Sequence, residues 1–308
     1  MSYVLVIGSA GIDVKASAPD DLQWETQNQG RIRSSIGGVA RNIAENLARL
    51  EVKTMLLSAV GNDPMGKRIV KHTKDYGVRC DHLRVVEHGR TGTYVALLKP
   101  DGELLVAISD FEIIATVDQA YLRKHERWFA RASMIVIDAT LSDTALATVF
   151  EFAHQYNVRV CADPTTPSLA TKLCSYLDKL FLVTPNAAET TALCGVEVPA
   201  HDRDSALKAA RQLVMMGAQI AVVTLGDQGV AYADGSGGGF IRAHQIAVVD
   251  STGAGDAFSS AVIFGLLNNV DLDEAMRLGM TAASLTLQSR ETVLPELSQD
   301  LLYDKLVV

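Results

Sequence analysis

Residues 250–258, Asp-Ser-Thr-Gly-Ala-Gly-Asp-Ala-Phe, set a glycine-rich turn directly before an apolar helical pattern that runs on through Ala261, Val262 and Leu266. Small residues let the backbone approach a ligand closely. The first turn of a helix points its unsatisfied N–H groups, and the positive end of its dipole, outward. Gly253, Ala254 and Gly255 would thus make a socket for a phosphate, or for charge developing on one. Asp256 falls inside the same turn, an odd neighbour for an anion unless it handles a proton. Capping by Thr252 with an acidic first turn is the alternative reading.

Other stretches put polar residues at strand exits. Gly8-Ser9-Ala10-Gly11-Ile12-Asp13 follows an apolar run, but it lacks G-x-G-x-x-G and an immediate helix, which argues against a dinucleotide site. Asp13 and Asn42 read on their own as turn and cap residues. Asn186-Ala187-Ala188-Glu189, after Pro185, has the form of a capping box. Thr224-Leu225-Gly226-Asp227-Gln228-Gly229 joins two apolar runs as a hairpin would, and Asp163-Pro164 ends another strand. No G-x-x-x-x-G-K-[ST] is present, so no Walker-type lysine cradles a phosphate. The 7 histidines lack zinc-ligand spacing. The four cysteines, Cys80, Cys161, Cys174 and Cys194, form no C-x-x-C and read as mostly buried free thiols in a reducing compartment.

The elements that must position these residues read as α/β. The chain has 308 residues, 48% of them hydrophobic, and carries 28 basic against 36 acidic side chains. That composition excludes disorder, the lack of a long apolar run excludes a transmembrane helix, and the net charge of −8 excludes a broad nucleic-acid footprint. The N-terminus has no signal-peptide pattern, which points to the cytoplasm. Met134–Ile137, Val158–Ala162, Leu180–Val183 and Ile220–Thr224 are continuous apolar strands, alternating with helical patterns over Ser142–His154, Asp202–Met216, Gly255–Asn268 and Leu272–Gln288. Such strands predict a doubly wound, mostly parallel sheet covered by helices on both faces. The first 110 residues break the rhythm: Gly11–Ala18, Gly30–Ser35, His82–Val86, Gly92–Leu98 and Glu103–Ser109 predict a small lid sheet, with Lys99-Pro100-Asp101-Gly102 as a hairpin turn and Gly235–Gly239 as another. One domain over 1–308 is expected, with lid strands from about 11–36 and 82–110 and a nucleotide-binding body mainly over 130–308.

The 250–256 segment matches the D-x-T-G-A-G-D signature of the PfkB/ribokinase family of sugar and nucleoside kinases. A second family signature matches Gly37-Gly38-Val39-Ala40-Arg41-Asn42 onward to Gly61. The resemblance spans essentially the whole chain. Val39-Ala40-Arg41-Asn42, Thr91-Gly92-Thr93-Tyr94 and the run 101–110 resemble the bacterial pseudouridine kinases of that family. The resemblance implies a ribokinase-like fold and an ATP- and Mg²⁺-dependent kinase, with the 5′-hydroxyl of pseudouridine as acceptor. Ribose, another nucleoside, or a non-catalytic sugar- or nucleoside-binding regulator are the rival readings.

It further implies that Asp256 is the base beside the Gly253-Ala254-Gly255 socket, and that Asp13, Gly37, Gly38, Asn42 and Thr93 hold the acceptor. Asn186, Thr224, Gly226 and Gly229 would line the nucleotide, and Glu189 would hold Mg²⁺ through water, an arrangement that suits a strongly hydrated ion. Val39 stands where ribokinases carry a lysine. Ser289-Arg290-Glu291-Thr292 departs from their K⁺-binding loop, which puts K⁺ activation in doubt. An uncovered lid face would pair with its copy, so a homodimer through the lid is expected.

Overall fold

A computed structural model describes residues 2–18, 22–100 and 104–306. Its large sheet has eight strands in the order β14-β13-β12-β11-β10-β9-β1-β4. These are β1 (Tyr3–Ile7), β4 (Thr54–Leu57), β9 (Ala132–Asp138), β10 (Arg159–Asp163), β11 (Leu182–Val183), β12 (Ile220–Thr224), β13 (Gly229–Asp234) and β14 (Gly237–Arg242). Pairing is parallel from β4 through β12 and antiparallel at β13 and β14. The continuous apolar strands are explained by two cores, one on each face. Val4, Val6, Leu56 and Val136 pack toward the helices Val39–Arg49, Ala254–Leu267 and Leu272–Leu287. Leu5, Ile7, Leu57 and Ile137 pack toward the helix Asp143–Tyr156. Strand alternation with both sides buried requires apolar residues at every position.

The second sheet, ordered β3-β2-β7-β8, contains β2 (Gly11–Ser17), β3 (Arg31–Gly37), β7 (Gly92–Leu98) and β8 (Leu104–Asp110). Register sorts its two faces. Asp13 lies beside Ser35 and Tyr94, and Lys15 beside Arg33, on the inner face. Val14, Val95, Ile108, Leu97 and Val106 share the outer face with Ile32.

Several expectations are corrected. The run His82–Val86 does not join the lid: β6 (Arg84–Val86) pairs in parallel with β5 (Ala59–Gly61) in a separate two-stranded sheet. A strand of three residues carries no pattern that names its partner, and here the helix Pro64–Asp75 returns the chain beside β5. The body also draws β1 and β4 from the first sixty residues. Asp234 pairs with Gly237, so the β13–β14 turn is only Gly235-Ser236 and the later glycines are strand residues. Of the lid hairpin turn, Asp101 and Gly102 lie outside the described residues. Cys80 and Cys161 are buried free thiols, but Cys174 is exposed and Cys194 half-buried.

Candidate active site

The chain leaves β1 to one side for β4 and later to the other for β9, and the site gathers at this switch point, beyond the carboxyl ends of the strands. Asp138, which ends β9, is fully buried and organises the exit of β1. It accepts hydrogen bonds from Ser9 N (2.7 Å), Ser9 Oγ (2.6 Å), Ala40 N (3.1 Å), Thr140 N (3.1 Å) and the Thr140 hydroxyl. No side chain of Gly38 can cap the helix Val39–Arg49, so Ser9 and Asp138 satisfy its first N–H groups instead. Gly8 has no alternative, because a Cβ there would run into the Asp138 carboxylate.

That helix carries Arg41 and Asn42 inward. Arg41 is 1% exposed; it donates to Glu45 Oε2 at 2.6 Å, to the carbonyls of Ile36 and Gly37, to Asn42 Oδ1 and to Thr292 Oγ1. Burial lowers the Arg41 pKa, opposed by the carboxylates of Glu45, Asp13 and Asp256. Asn42 is gripped at both ends of its amide, since its Nδ2 donates to Asp256 Oδ2 at 2.7 Å. Burial pushes the Asp256 carboxyl up to about 7, against the lowering effect of the Asn42 bond and Arg41.

Asp256 sits in the first turn of the helix Ala254–Leu267. Its N-cap is Gly253, in the left-handed region at φ 84°, and no side chain caps the turn. Thr252 therefore does not cap: its hydroxyl takes the Lys15 ammonium instead. The turn keeps its open N–H donors. Gly253 is required there by its φ and because an added Cβ would overlap the Thr292 carbonyl.

From the lid, β2 brings Asp13 into the cleft, 6% exposed, with its carboxylate accepting no side-chain or backbone bond among the described residues. Burial raises it to about 6, although Arg41 and Lys15 pull downward. Gly37 lies against it so closely that a Cβ would strike the carboxylate. Asp163 ends β10 in register with Asp138, and burial, then the charges of Asp256 and Glu189, raise its pKa.

On the far side of the helix start, a cleft of about 370 Å³ is lined by Thr224, Gly226, Gly229, Ala254, Gly255 and Phe258. Asn186 bridges Thr224 and caps the helix Ala187–Cys194 in a full capping box: its Oδ1 accepts from Glu189 N and Glu189 Oε2 accepts from Asn186 N, both at 2.9 Å. Burial raises the Glu189 carboxyl.

The structure thus brings Asp13, Gly37, Gly38, Asn42 and Asp256 around one space, with Gly253, Ala254 and Gly255 between it and the cleft of Thr224, Gly226 and Gly229. Thr93 is not brought in: it pairs with Ile12 and shares the lid's outer face, while Asp13's neighbour on β7 is Tyr94. The sequence reading passes over Asp138 and Lys15. A carboxylate closing an apolar strand is a signal for the first; nothing local marks the second.

An α/β body with a helix-start socket, a buried carboxyl beside it and a small lid sheet has the arrangement of a group-transfer enzyme for small molecules. The chain belongs to the pfkB family of carbohydrate kinases, which its sequence matches over residues 1–299, and it is a phosphotransferase acting on hydroxyl groups. It is 35% identical over 297 residues to the pseudouridine kinase of Escherichia coli, covering 96% of this chain and 94% of that protein. It is 29% identical to the guanosine-inosine kinase of Exiguobacterium acetylicum, covering 96% and 98%. Among solved structures, a carbohydrate kinase from Agrobacterium tumefaciens superposes with TM-score 0.84 at 27% identity, over 99% and 97% of the two chains. The ribokinase of Arabidopsis thaliana, complexed with ribose and ATP, shares the fold with TM-score 0.82 at 23% identity and 100% coverage of both.

Proposed function

We propose that this kinase transfers the γ-phosphoryl group of ATP to the 5′-hydroxyl of pseudouridine, giving pseudouridine 5′-phosphate and ADP. The observation that carries the chemistry is Asp256, a buried carboxyl held by Asn42 in the same uncapped helical turn as open N–H donors. The bond formed joins the 5′-oxygen to the γ-phosphorus, and the bond broken joins that phosphorus to the β,γ-bridging oxygen. The hydroxyl proton goes to Asp256, late in a loose transition state. Gly253, Ala254 and Gly255 present their N–H groups to the charge on the transferred group.

Asp13 accepts from the ribose hydroxyls, since a carboxylate without a protein partner can serve two donors. The Gly37-Gly38 backbone flanks the same hydroxyls. Asn42, with both amide ends engaged, acts by aiming Asp256. Thr224, Gly226 and Gly229 border the nucleotide, with Asn186 behind them.

The donor set fits a hydrated Mg²⁺. Among the described residues no three His, Cys, Asp or Glu side chains converge as direct ligands, whereas the capping box uses only Oε2 of Glu189. Glu189 would hold the ion through water, and the ion would supply charge neutralisation at the phosphates.

The choice of acceptor is supported by the 35% identity to a pseudouridine kinase. An assay of ADP release with ATP and Mg²⁺ against ribose, uridine, inosine and pseudouridine tests it. Pseudouridine is expected to give the highest kcat/KM, because its free N1–H offers the lid a donor that uridine lacks. Equal values for uridine and pseudouridine would remove the assignment and leave the kinase intact; a preference for inosine or ribose would name another acceptor. We infer in addition that two copies pair through the outer lid face, where Ile32 is 76% and Ile108 73% exposed.

A further inference from the structure

Asp250 opens the signature turn, yet the acceptor, the base and the socket leave it no task. Its carboxylate is 7% exposed and is held from the lid. Lys15, two residues beyond Asp13 on the same inner face, brings its Nζ to 2.7 Å from Oδ1 and 2.8 Å from Oδ2, and donates to Thr252 Oγ1. Arg33, beside Lys15 in register, donates to Oδ2. Asp250 Oδ1 in turn accepts from Thr252 N at 2.9 Å, which shapes the turn just before Gly253. An ammonium has three N–H donors. Among the described residues, the side-chain contacts of Lys15 are all with the turn, to both Asp250 oxygens and to the Thr252 hydroxyl.

At the base of the lid, Gly37, Gly11 and Gly92 stand side by side in register across β3, β2 and β7. The Phe111 ring occupies the space where Cβ atoms on Gly11 and Gly92 would lie, each only 2.6 Å from it. A row without side chains is where a sheet bends most freely. Lys15 is four residues farther along β2, about 13 Å at ~3.3 Å per residue, and Asp13 lies between. A strand pivoting at Gly11 carries Asp13 and Lys15 together.

We propose that Lys15 is a positioning residue that latches the lid onto the 250–253 turn, so that seating an acceptor on Asp13 also fixes the backbone that meets the transferred phosphate. The inference rests on the kinase reading and deepens it. Acceptor and nucleotide both favour the latched arrangement, so each must tighten the binding of the other by the same factor.

Calorimetry of a non-hydrolysable ATP analogue, with and without saturating pseudouridine, reads that factor. In the native enzyme the nucleoside should tighten the analogue about 5-fold or more, the lower end of common couplings. In Lys15→Met each ligand alone should bind somewhat more weakly, because the arrangement both favour is less populated, while the factor falls toward one and kcat falls with it. Lys15→Arg, which keeps a cation on Asp250, should restore part of both. Amide exchange at Thr252 should quicken in unliganded Lys15→Met, since its N–H rests on Asp250.

A Lys15→Met enzyme with native coupling and kcat overturns the latch. So does one that binds the nucleoside alone ten times more weakly but keeps the coupling, which would make Lys15 an acceptor reader. A native enzyme that turns over a nucleoside without coupling also overturns the latch and leaves the kinase reading standing; absence of turnover with every acceptor removes that reading first. If Lys15→Met does not fold, Arg33→Met and Thr252→Val carry the test, and native coupling in both overturns the proposal.

Discussion

Arg41, Asn42 and Asp256 form a chain of hydrogen bonds from a buried guanidinium to a buried carboxyl, and its energetics point in two directions. Burial makes Asp256 easier to protonate, so the ionised form that accepts a proton is the one the fold resists. As pH falls through about 7, kcat/KM should fall, because protonated Asp256 cannot take the hydroxyl proton. Stability has the opposite sign. A carboxyl whose folded pKa lies above its ordinary value contributes a stability that is lost as pH rises from about 4 toward 7. Asp256→Asn is therefore expected to lose kcat by about 10²–10⁴-fold while melting higher than the native protein at pH 8. Steady-state rates and calorimetric melting on the same samples check both. Near-native kcat would return Asp256 to a structural role.

At the scale of the element, the helix Ala254–Leu267 depends on how its turn enters it. Gly253 and Gly255 lie two residues apart and differ sharply. A Cβ on Gly253 would overlap the Thr292 carbonyl and sit at φ 84°, whereas a Cβ on Gly255 would meet nothing within 4 Å. Gly253→Ala should therefore cost about 1–3 kcal/mol in stability from backbone strain, together with most of the activity. Gly255→Ala should melt as the native protein does and still lose activity, because its Cβ fills space that the ligand approaches. Denaturant titration alongside kcat/KM separates the two. An equal stability loss in both variants would show that the turn is not held by Thr292.

For the whole molecule, the lid is a single sheet with one face on the site; its other face is buried at Ile12 and Ile36 and exposed farther out. Val95, Leu97, Val106 and Ile108 are exposed on the outer face, in register with one another. In the proposed dimer a second copy would meet this face with the same residues, as a two-fold interface requires. Light scattering should give twice the 33.1 kDa of one chain. Ile108→Glu should reduce it to one chain with secondary structure unchanged, and a native mass of one chain at micromolar concentration would exclude the pairing.

The sequence by itself determined the body. Its strands are apolar at every position because both faces are buried, and that pattern survives in one dimension; the glycine-rich turn before Ala257 and Phe258 equally marks a helix start and Asp256 within it. The ambiguities lay where function depends on partners far along the chain. Whether Asn42 caps a helix or grips Asp256, 214 residues away, is decided by packing. So is the fate of Thr252, which looks like a cap until Lys15 arrives from 237 residues away. For Thr93, alternation fixes that neighbouring residues face opposite ways, but not which face meets the body; the pairing with Ile12 puts it on the face opposite Asp13. Asp138 and Lys15 stayed hidden for the same reason. A carboxylate or an ammonium has meaning at this site only through the groups that surround it, and these come together only when the sheet, the lid and the helix starts have closed on one another.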